Sequence, residues 1–193
     1  MASQLLPAPD ADVCLAYTNT RYWRGTATPT EELGSLDDLL RWAAKAERLS
    51  PALLRAFEPV TGLFTAAIEL RETIHRCFTA TASGRAPDLA ALNAALAEAP
   101  LRQRVGPGGW EVDVPKASVG VLLAPVLWSA GDLLVGRQLS RVRQCANPAC
   151  GWLFLDDSKS GNRRWCSMSA CGNRAKAHRH YLRQKDASDE VRD

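Results

Sequence analysis

The sequence has no apolar run long enough to cross a membrane as a helix. Its most apolar stretch, residues 117–131, spans 15 residues and contains Pro125, whereas a helical span needs about 20 apolar residues. The first residues show neither the basic segment nor the apolar core of a secretory signal. We therefore expect a cytoplasmic protein that makes no contact with membranes.

Motifs of the common enzyme classes are also missing from the sequence. There is no phosphate-binding glycine-rich loop, no HExxH or GxSxG, and no paired-carboxylate motif. Cys14 and Cys77 have no candidate base near them in the sequence, so we expect both to be buried thiols. We expect His75 to be a core histidine, and we do not expect an enzyme.

Basic residues are concentrated in one part of the chain. Residues 1–136 hold 12 Lys and Arg against 15 Asp and Glu, residues 137–185 hold 11 against 2, and residues 186–193 hold 1 against 4. A strongly basic block attracts polyanions and speeds their encounter with the protein. Nucleic acid is therefore the leading candidate partner, and the last eight residues form an acidic tail.

Four of the six cysteines form two pairs near the C-terminus. Cys145, Cys150, Cys166 and Cys171 follow the pattern C-x4-C-x15-C-x4-C, which is typical of a zinc site built from two tight turns. Two disulfides and an iron–sulfur cluster are the alternatives, but a reducing cytoplasm favours metal ligation. We predict one structural zinc ion per chain, bound by these four sulfur atoms.

Hydrophobic periodicity predicts a mainly α fold with one small β-hairpin. Four helical segments are expected before residue 100, and two of them are expected to start at Ser35 and at Ser50-Pro51. Gly106-Pro107-Gly108-Gly109 between alternating apolar residues predicts a hairpin over 101–114. A last long helix is expected from Ser118 through Val135 into the basic residues Arg137, Arg141 and Arg143. We predict a helical domain over 1–136, joined without a flexible linker to a zinc module over 137–185.

The second cysteine pair is expected to lead into a helix with two distinct faces. At 100° per residue, Cys171, Ala175, His178 and Leu182 share an inward face, and the opposite stripe is basic. We predict that the stripe contacts DNA phosphates and that basic residues near its start reach base edges. The predicted phosphate contacts are Lys176, Arg179 and Arg183, and the predicted base contacts are Arg163, Arg164 and Arg174.

Each of these assignments has a structural alternative. The stripe is also compatible with a solvated helix face, and Arg163 and Arg164 are placed to pair with Asp156 and Asp157 across the zinc hairpin. Arg174 lies three residues after a ligand, where it can brace the metal site through backbone carbonyls.

Short sequence motifs in both halves of the chain resemble known families. The segments Trp152-Leu-Phe-Leu-Asp-Asp-Ser-Lys, Arg163-Arg-Trp-Cys-Ser-Met and Cys171-Gly-Asn-Arg174 closely resemble the CGNR zinc finger, which is named after that tetrapeptide. The Asn19-Thr20-Arg21 turn and the Leu39-Leu40-Arg41-Trp42 helix resemble the ABATE domain, which precedes this finger in bacterial stress-induced transcription regulators.

The resemblance implies a treble-clef-like zinc module that binds DNA and a helical domain that senses a ligand or forms a homodimer. Under that hypothesis Asn19, Arg21, Trp23 and Trp42 line a small-molecule pocket, whereas turn formation and capping are the structural alternative.

We therefore interpret the sequence as a zinc-binding bacterial transcription regulator that contacts double-stranded DNA. The main alternative is a zinc-stabilised protein-interaction or RNA-binding module. A third reading is an enzyme with its pocket in the N-terminal domain. The predicted C-terminal helix presents Arg and Lys side chains with a single Tyr. This composition favours binding of duplex DNA over binding of single-stranded RNA, which needs several exposed aromatic rings for stacking.

Overall fold

The part of the chain that the structure describes is mainly helical, with three small antiparallel sheets. The computed structural model describes residues 2–47, 49–114, 116–177 and 181. The helices are α1 (Val13–Thr18), α2 (Leu36–Ala46), α3 (Pro51–Leu54), α4 (Leu63–Ala82), α5 (Ala90–Glu98), α6 (Val119–Leu122) and α7 (Ala124–Val135). The strands are β1 (Ala2–Pro7), β2 (Arg21–Tyr22), β3 (Thr30–Glu31), β4 (Arg104–Gly106), β5 (Gly109–Val114), β6 (Val142–Gln144) and β7 (Leu153–Leu155).

Serine side chains begin two of the helices at the predicted places. The hydroxyl of Ser35 accepts a hydrogen bond from the backbone N–H of Asp38 at 3.2 Å and donates to the Asp38 carboxylate at 2.8 Å. The hydroxyl of Ser50 accepts from the N–H of Leu53, with Pro51 in the first turn. These caps satisfy N–H groups that have no partner within the helix.

The hydrophobic core is built around α4. Helices α1, α2, α5 and α6 contact α4, and α7 packs against α1. Ala67 and Ile74 of α4 are fully buried, as is Tyr17 of α1, whose hydroxyl donates to the Ala67 carbonyl at 2.7 Å. The core therefore satisfies the one polar side-chain atom of Tyr17, its largest fully buried aromatic residue, in addition to burying apolar surface.

The same core continues into the basic C-terminal block. Val142 of β6 and Leu153 of β7 are buried among the core residues of the helical region. Strands β6 and β7 pair antiparallel, with Val142 opposite Leu155 and Gln144 opposite Leu153. This hairpin therefore shares the core of the helical region.

The hairpin predicted over 101–114 is present, and a further strand completes its sheet. β4 and β5 pair antiparallel, and β1 pairs along the other edge of β5, from Ala2 opposite Val114 to Pro7 opposite Gly109. Gly109 lies where a Cβ would collide with the backbone of Leu6. The sequence analysis did not predict β1, because its pairing joins residues more than 100 positions apart.

The prediction of one continuous helix from Ser118 to Arg143 is wrong. The chain forms α6, breaks at Leu123, forms α7 with Pro125 in its first turn, and ends that helix at Gly136. A 3-10 helix (Arg137–Arg141) and β6 follow. Proline lacks the N–H that a continuous helix needs at that point, and Gly136 is extended. Arg141 therefore ends the 3-10 helix and Arg143 lies in β6, so neither residue continues α7.

Candidate functional site

The four predicted cysteines meet at one point. Cys145 and Cys150 lie in the turn between β6 and β7, Cys166 lies in the following loop, and Cys171 lies in a π-helical turn (Met168–Gly172). The four sulfur atoms lie within 4.8 Å of one another. The Sγ of Cys166 is 3.7 Å from those of both Cys150 and Cys171, close to the ~3.8 Å that a tetrahedron with Zn–S bonds of ~2.3 Å requires. The cluster is thus positioned to bind one zinc ion.

Burial and crowding oppose ionisation of most of these thiols when no cation lies between them. Burial and the neighbouring Cys145 thiolate raise the pKa of Cys150 to about 12, and burial with the nearby Cys150 raises the pKa of Cys166 further. Cys145 is the exception, because backbone hydrogen bonds from Cys166 and Asn147 outweigh burial and lower its pKa. Four thiolates cannot coexist here without a cation, and a bound zinc ion would supply that charge.

Backbone and amide hydrogen bonds shape the first cysteine turn. The N–H of Cys150 donates to the Asn147 carbonyl at 2.9 Å, and the Asn147 side chain donates to the Cys171 sulfur at 3.6 Å. Gly151 has a φ of 72°, a left-handed conformation that favours glycine. Asn147 and the left-handed Gly151 therefore shape the turn that carries Cys145 and Cys150.

The N-terminal domain holds this cysteine turn from outside. The N–H groups of Arg24 and Gly25 donate to the carbonyls of Cys150 and Ala149 at 3.3 and 3.2 Å. Gly25 leaves room for this approach, since a Cβ there would collide with the Pro148 carbonyl oxygen. Backbone hydrogen bonds therefore join the cysteine turn to the end of the 19–25 segment.

Two side chains of the N-terminal domain add to this contact. Buried Asn19 donates to the Leu153 carbonyl at 2.8 Å and accepts from its N–H at 3.0 Å. His75 places Nε2 3.2 Å from the Gly151 carbonyl, and burial followed by the Arg24 charge lowers its pKa. His75, predicted to be a core histidine, therefore contacts the finger.

A network of ion pairs holds Arg24 in place beside the cysteine turn. Arg24 pairs with Glu72 at 2.7 Å and donates to the carbonyls of Arg21 and Thr18. Fully buried Arg71 binds both oxygens of Glu31 at 2.6 Å and also contacts Glu72. Burial opposes ionisation of Glu31 and Glu72, but the arginines outweigh it and lower the pKa of both carboxyls. The sequence alone carried no signal for this network.

Three arginines of the basic block bind backbone carbonyls of the finger. Arg141 donates to Asp156, Arg143 donates to Gly161, and Arg163 donates to the carbonyls of Trp165 and Cys166. Arg163 also lies over the Phe154 ring at 4.7 Å and is 3.7 Å from the Asp157 carboxylate. These contacts favour the structural alternative for Arg163.

Other basic residues of the block keep their charged groups at the surface. Arg164 lies over the Trp165 ring at 5.5 Å, and Arg174 lies over the Trp23 ring at 4.4 Å. Lys176 is exposed on the helical residues 173–177 that follow Cys171. Four residues of the predicted faces, His178, Arg179, Leu182 and Arg183, lie outside the described residues, as does the acidic tail 186–193.

The residues predicted to line a ligand pocket occupy different surroundings. Asn19 is bound to Leu153, Trp42 packs on Tyr17 with ring centroids 4.9 Å apart, and Trp23 lies under Arg174 beside the cysteine cluster. Arg21 belongs to the two-residue strand β2. In the described residues these contacts do not place the four side chains around one cavity.

The fold and the cysteine cluster define a zinc-finger protein in which the finger is attached to a helical domain. The CGNR zinc finger matches residues 141–184. The ABATE family, described as "Putative stress-induced transcription regulator", matches residues 11–137. Since that match covers about two thirds of the chain, the protein belongs to the ABATE family. A comparison with curated proteins found no match. In the residues described, no helix is long and apolar enough to cross a membrane.

Proposed function

We propose that the protein is a DNA-binding transcription regulator whose zinc finger contacts the DNA duplex. The contacts are assigned to Arg164, Arg174 and Lys176, extended along the chain by Arg179 and Arg183. We leave Arg163 out of this set because its guanidinium binds the carbonyls of Trp165 and Cys166. In this proposal the finger is treble-clef-like, with the β6–β7 turn supplying one cysteine pair and the start of the C-terminal helix region supplying the last ligand.

The observation that carries the proposal is the division of the arginines into two groups. The side chains of Arg141 and Arg143 donate to internal carbonyls, whereas the side-chain contacts found for Arg164 and Arg174 in the described part of the chain are with indole rings. A guanidinium stacked on a ring still presents its N–H groups at its edge, and those match phosphate oxygens or the acceptors of guanine. The rings hold the guanidinium in place, which lowers the entropy lost on binding.

The same stacking favours a duplex over single-stranded RNA. Recognition of single strands uses exposed aromatic rings on which bases stack. Here the Trp165 and Trp23 rings are half-buried and each already carries an arginine of this chain. A single-stranded ligand would have to displace both arginines before its bases could stack.

A salt series with the zinc-loaded full chain tests the proposal. The triple variant Arg164→Ala, Arg174→Ala, Lys176→Ala should bind duplex DNA more weakly and lower the slope of log K against log salt by about one per lost phosphate contact. The matched control is Lys45→Ala, Arg55→Ala, Lys116→Ala, which removes the same charge from exposed positions of the N-terminal domain. Equal losses in both triple variants would overturn the assignment, as would binding of the finger variant with native affinity and slope.

A further inference from the structure

A cavity of about 400 Å³ lies against the middle of α4, on the side of the loop that leads to α5. Its lining includes Thr73, His75, Arg76 and Thr79 of α4, together with Arg85 and Asp88 of the loop. Asn19, Trp42 and the other residues predicted to bind a ligand do not belong to this lining. The cavity volume is within the range of small-molecule sites.

One wall of the cavity carries a hydroxyl group without a partner. The Thr79 Oγ1 atom is buried and makes no hydrogen bond in the described residues. Other hydroxyls of α4 are satisfied within the helix, since Thr73 donates to the Glu69 carbonyl and Thr81 donates to the Cys77 carbonyl, both at 3.0 Å. A buried unsatisfied hydroxyl is costly and calls for a partner from outside the chain.

The charged groups around the cavity leave a positive excess. Arg76 donates one bond to the Thr73 hydroxyl at 2.9 Å, which uses one of its five N–H groups. Asp88 directs its carboxylate to the N–H of Ala90 at 3.0 Å. The bond found for Arg85 in the described part of the chain is made by its backbone N–H to Ala80. The cavity lining therefore holds two arginines and one carboxylate, of which one oxygen already accepts a hydrogen bond.

We propose that this cavity binds a small ligand through an oxyanion group, a carboxylate or a phosphate. Arg76 and Arg85 pair with the oxyanion, for which the planar guanidinium is the matching donor. On ligand binding the Thr79 side chain turns about its Cα–Cβ bond, so that its hydroxyl, which is closed off from solvent without ligand, donates to the same ligand and gains its missing partner. The inference goes beyond the proposed function, and it does not depend on DNA binding by the finger.

His75 connects this cavity to the zinc finger. The imidazole lies in the cavity lining, and its Nε2 atom is 3.2 Å from the Gly151 carbonyl, one residue beyond a zinc ligand. A ligand in the cavity therefore lies one side chain away from the cysteine turn. Occupancy of the cavity can bias the position of that turn through this contact.

Thermal unfolding of the zinc-loaded full chain, titrated separately with inorganic phosphate and with succinate, tests the inference. One of the two anions should raise Tm saturably by about 2 °C or more, since a ligand that binds the folded state stabilises it, and the responding anion identifies the oxyanion class. Chloride at equal ionic strength gives the baseline. Arg85→Ala should abolish the shift at unchanged zinc content, and Arg55→Ala, at an exposed position of the same domain, should keep it.

Thr79→Val separates a ligand contact from a structural one. Valine keeps the shape of threonine and removes a hydroxyl that has no partner in the protein, so Tm without anion should stay level or rise. The anion-induced shift should fall by at least half. The inference is overturned if neither anion gives a saturable shift, or if Arg85→Ala responds like the native chain. Because the readout is unfolding without DNA, this failure is distinct from failure of the duplex titration.

Discussion

The helical region around α4 and the zinc finger are stabilised by different interactions. The helical region buries Leu39, Phe57, Ile74 and Phe78 completely, and apolar burial supplies most of its free energy. The finger has little apolar area of its own, and its loops are held by four sulfurs and by arginines that bind carbonyls. Some basic side chains of residues 137–185 therefore stabilise the finger itself. The net charge of this block is larger than the charge available to contact a partner.

The two regions are nevertheless joined more closely than the sequence suggests. Val142 and Leu153 of the finger belong to the helical core, and Asn19, Arg24 and His75 bind the backbone of the zinc turn. We infer that metal binding and folding of the N-terminal domain are coupled. This coupling can be tested by perturbing one region and measuring the stability or the zinc affinity of the other.

The largest expected effect follows removal of the zinc ion. The native chain should carry one zinc per chain, and Cys171→Ser should lose most of its zinc affinity, because structural zinc contributes apparent binding free energies of ~10 kcal/mol or more in small modules. Elemental analysis and hydrogen exchange of residues 145–172 are the measurements. Cys77→Ser is the control, since Cys77 is a buried thiol outside the cluster. Full zinc content in Cys171→Ser would disprove the ligand set.

A smaller effect should follow Asn19→Ala, which cuts the contact between the two regions. The change leaves both the N–H and the carbonyl of Leu153 buried without their partner, at a cost of about 2 kcal/mol in the free energy of unfolding. Zinc affinity, measured by competition with a chelator, should fall as well. Asn93→Ala, at an exposed position of α5, serves as the control. Unchanged zinc affinity in Asn19→Ala would show that the regions are independent.

The smallest effect concerns a carboxyl inside the helical core. Burial raises the pKa of Glu47 well above its usual 4.5, although the N–H of Val126 donates to it. As pH rises above 4.5 the unfolded chain releases this proton while the folded chain retains it, so the stability of the native protein falls. Glu47→Gln removes that titration and should gain about 1 kcal/mol or more over the native chain at pH 7. The gain should vanish near pH 4.

Urea unfolding at pH 4, 5, 6 and 7 measures this difference. Asp37→Asn, which removes an exposed carboxyl in the first turn of α2, is the control for the loss of one acidic side chain. A Glu47→Gln chain that parallels the native protein at every pH would place an ionised carboxylate in the core.

The sequence by itself determined the features that depend on near neighbours. The spacing of the four cysteines predicted the metal cluster, Ser35 and Ser50 predicted helix starts, and the glycine-rich turn predicted the β4–β5 hairpin. Each of these rests on groups a few residues apart, or on a ligand set in which two short turns each bring two sulfurs together. The continuous helix that was wrongly predicted over 118–143 also contains a local signal against it, because Pro125 disfavours an unbroken helix.

Only the tertiary structure decided which arginines are available and where the finger is held. Nothing in the sequence separates Arg163, which binds carbonyls, from adjacent Arg164, which lies over a ring. Asn19 reads as a turn residue, but its partner is Leu153, 134 positions away. Such pairings depend on which surfaces the packed core brings together. The residues adjacent to a side chain in the sequence therefore do not indicate its partner.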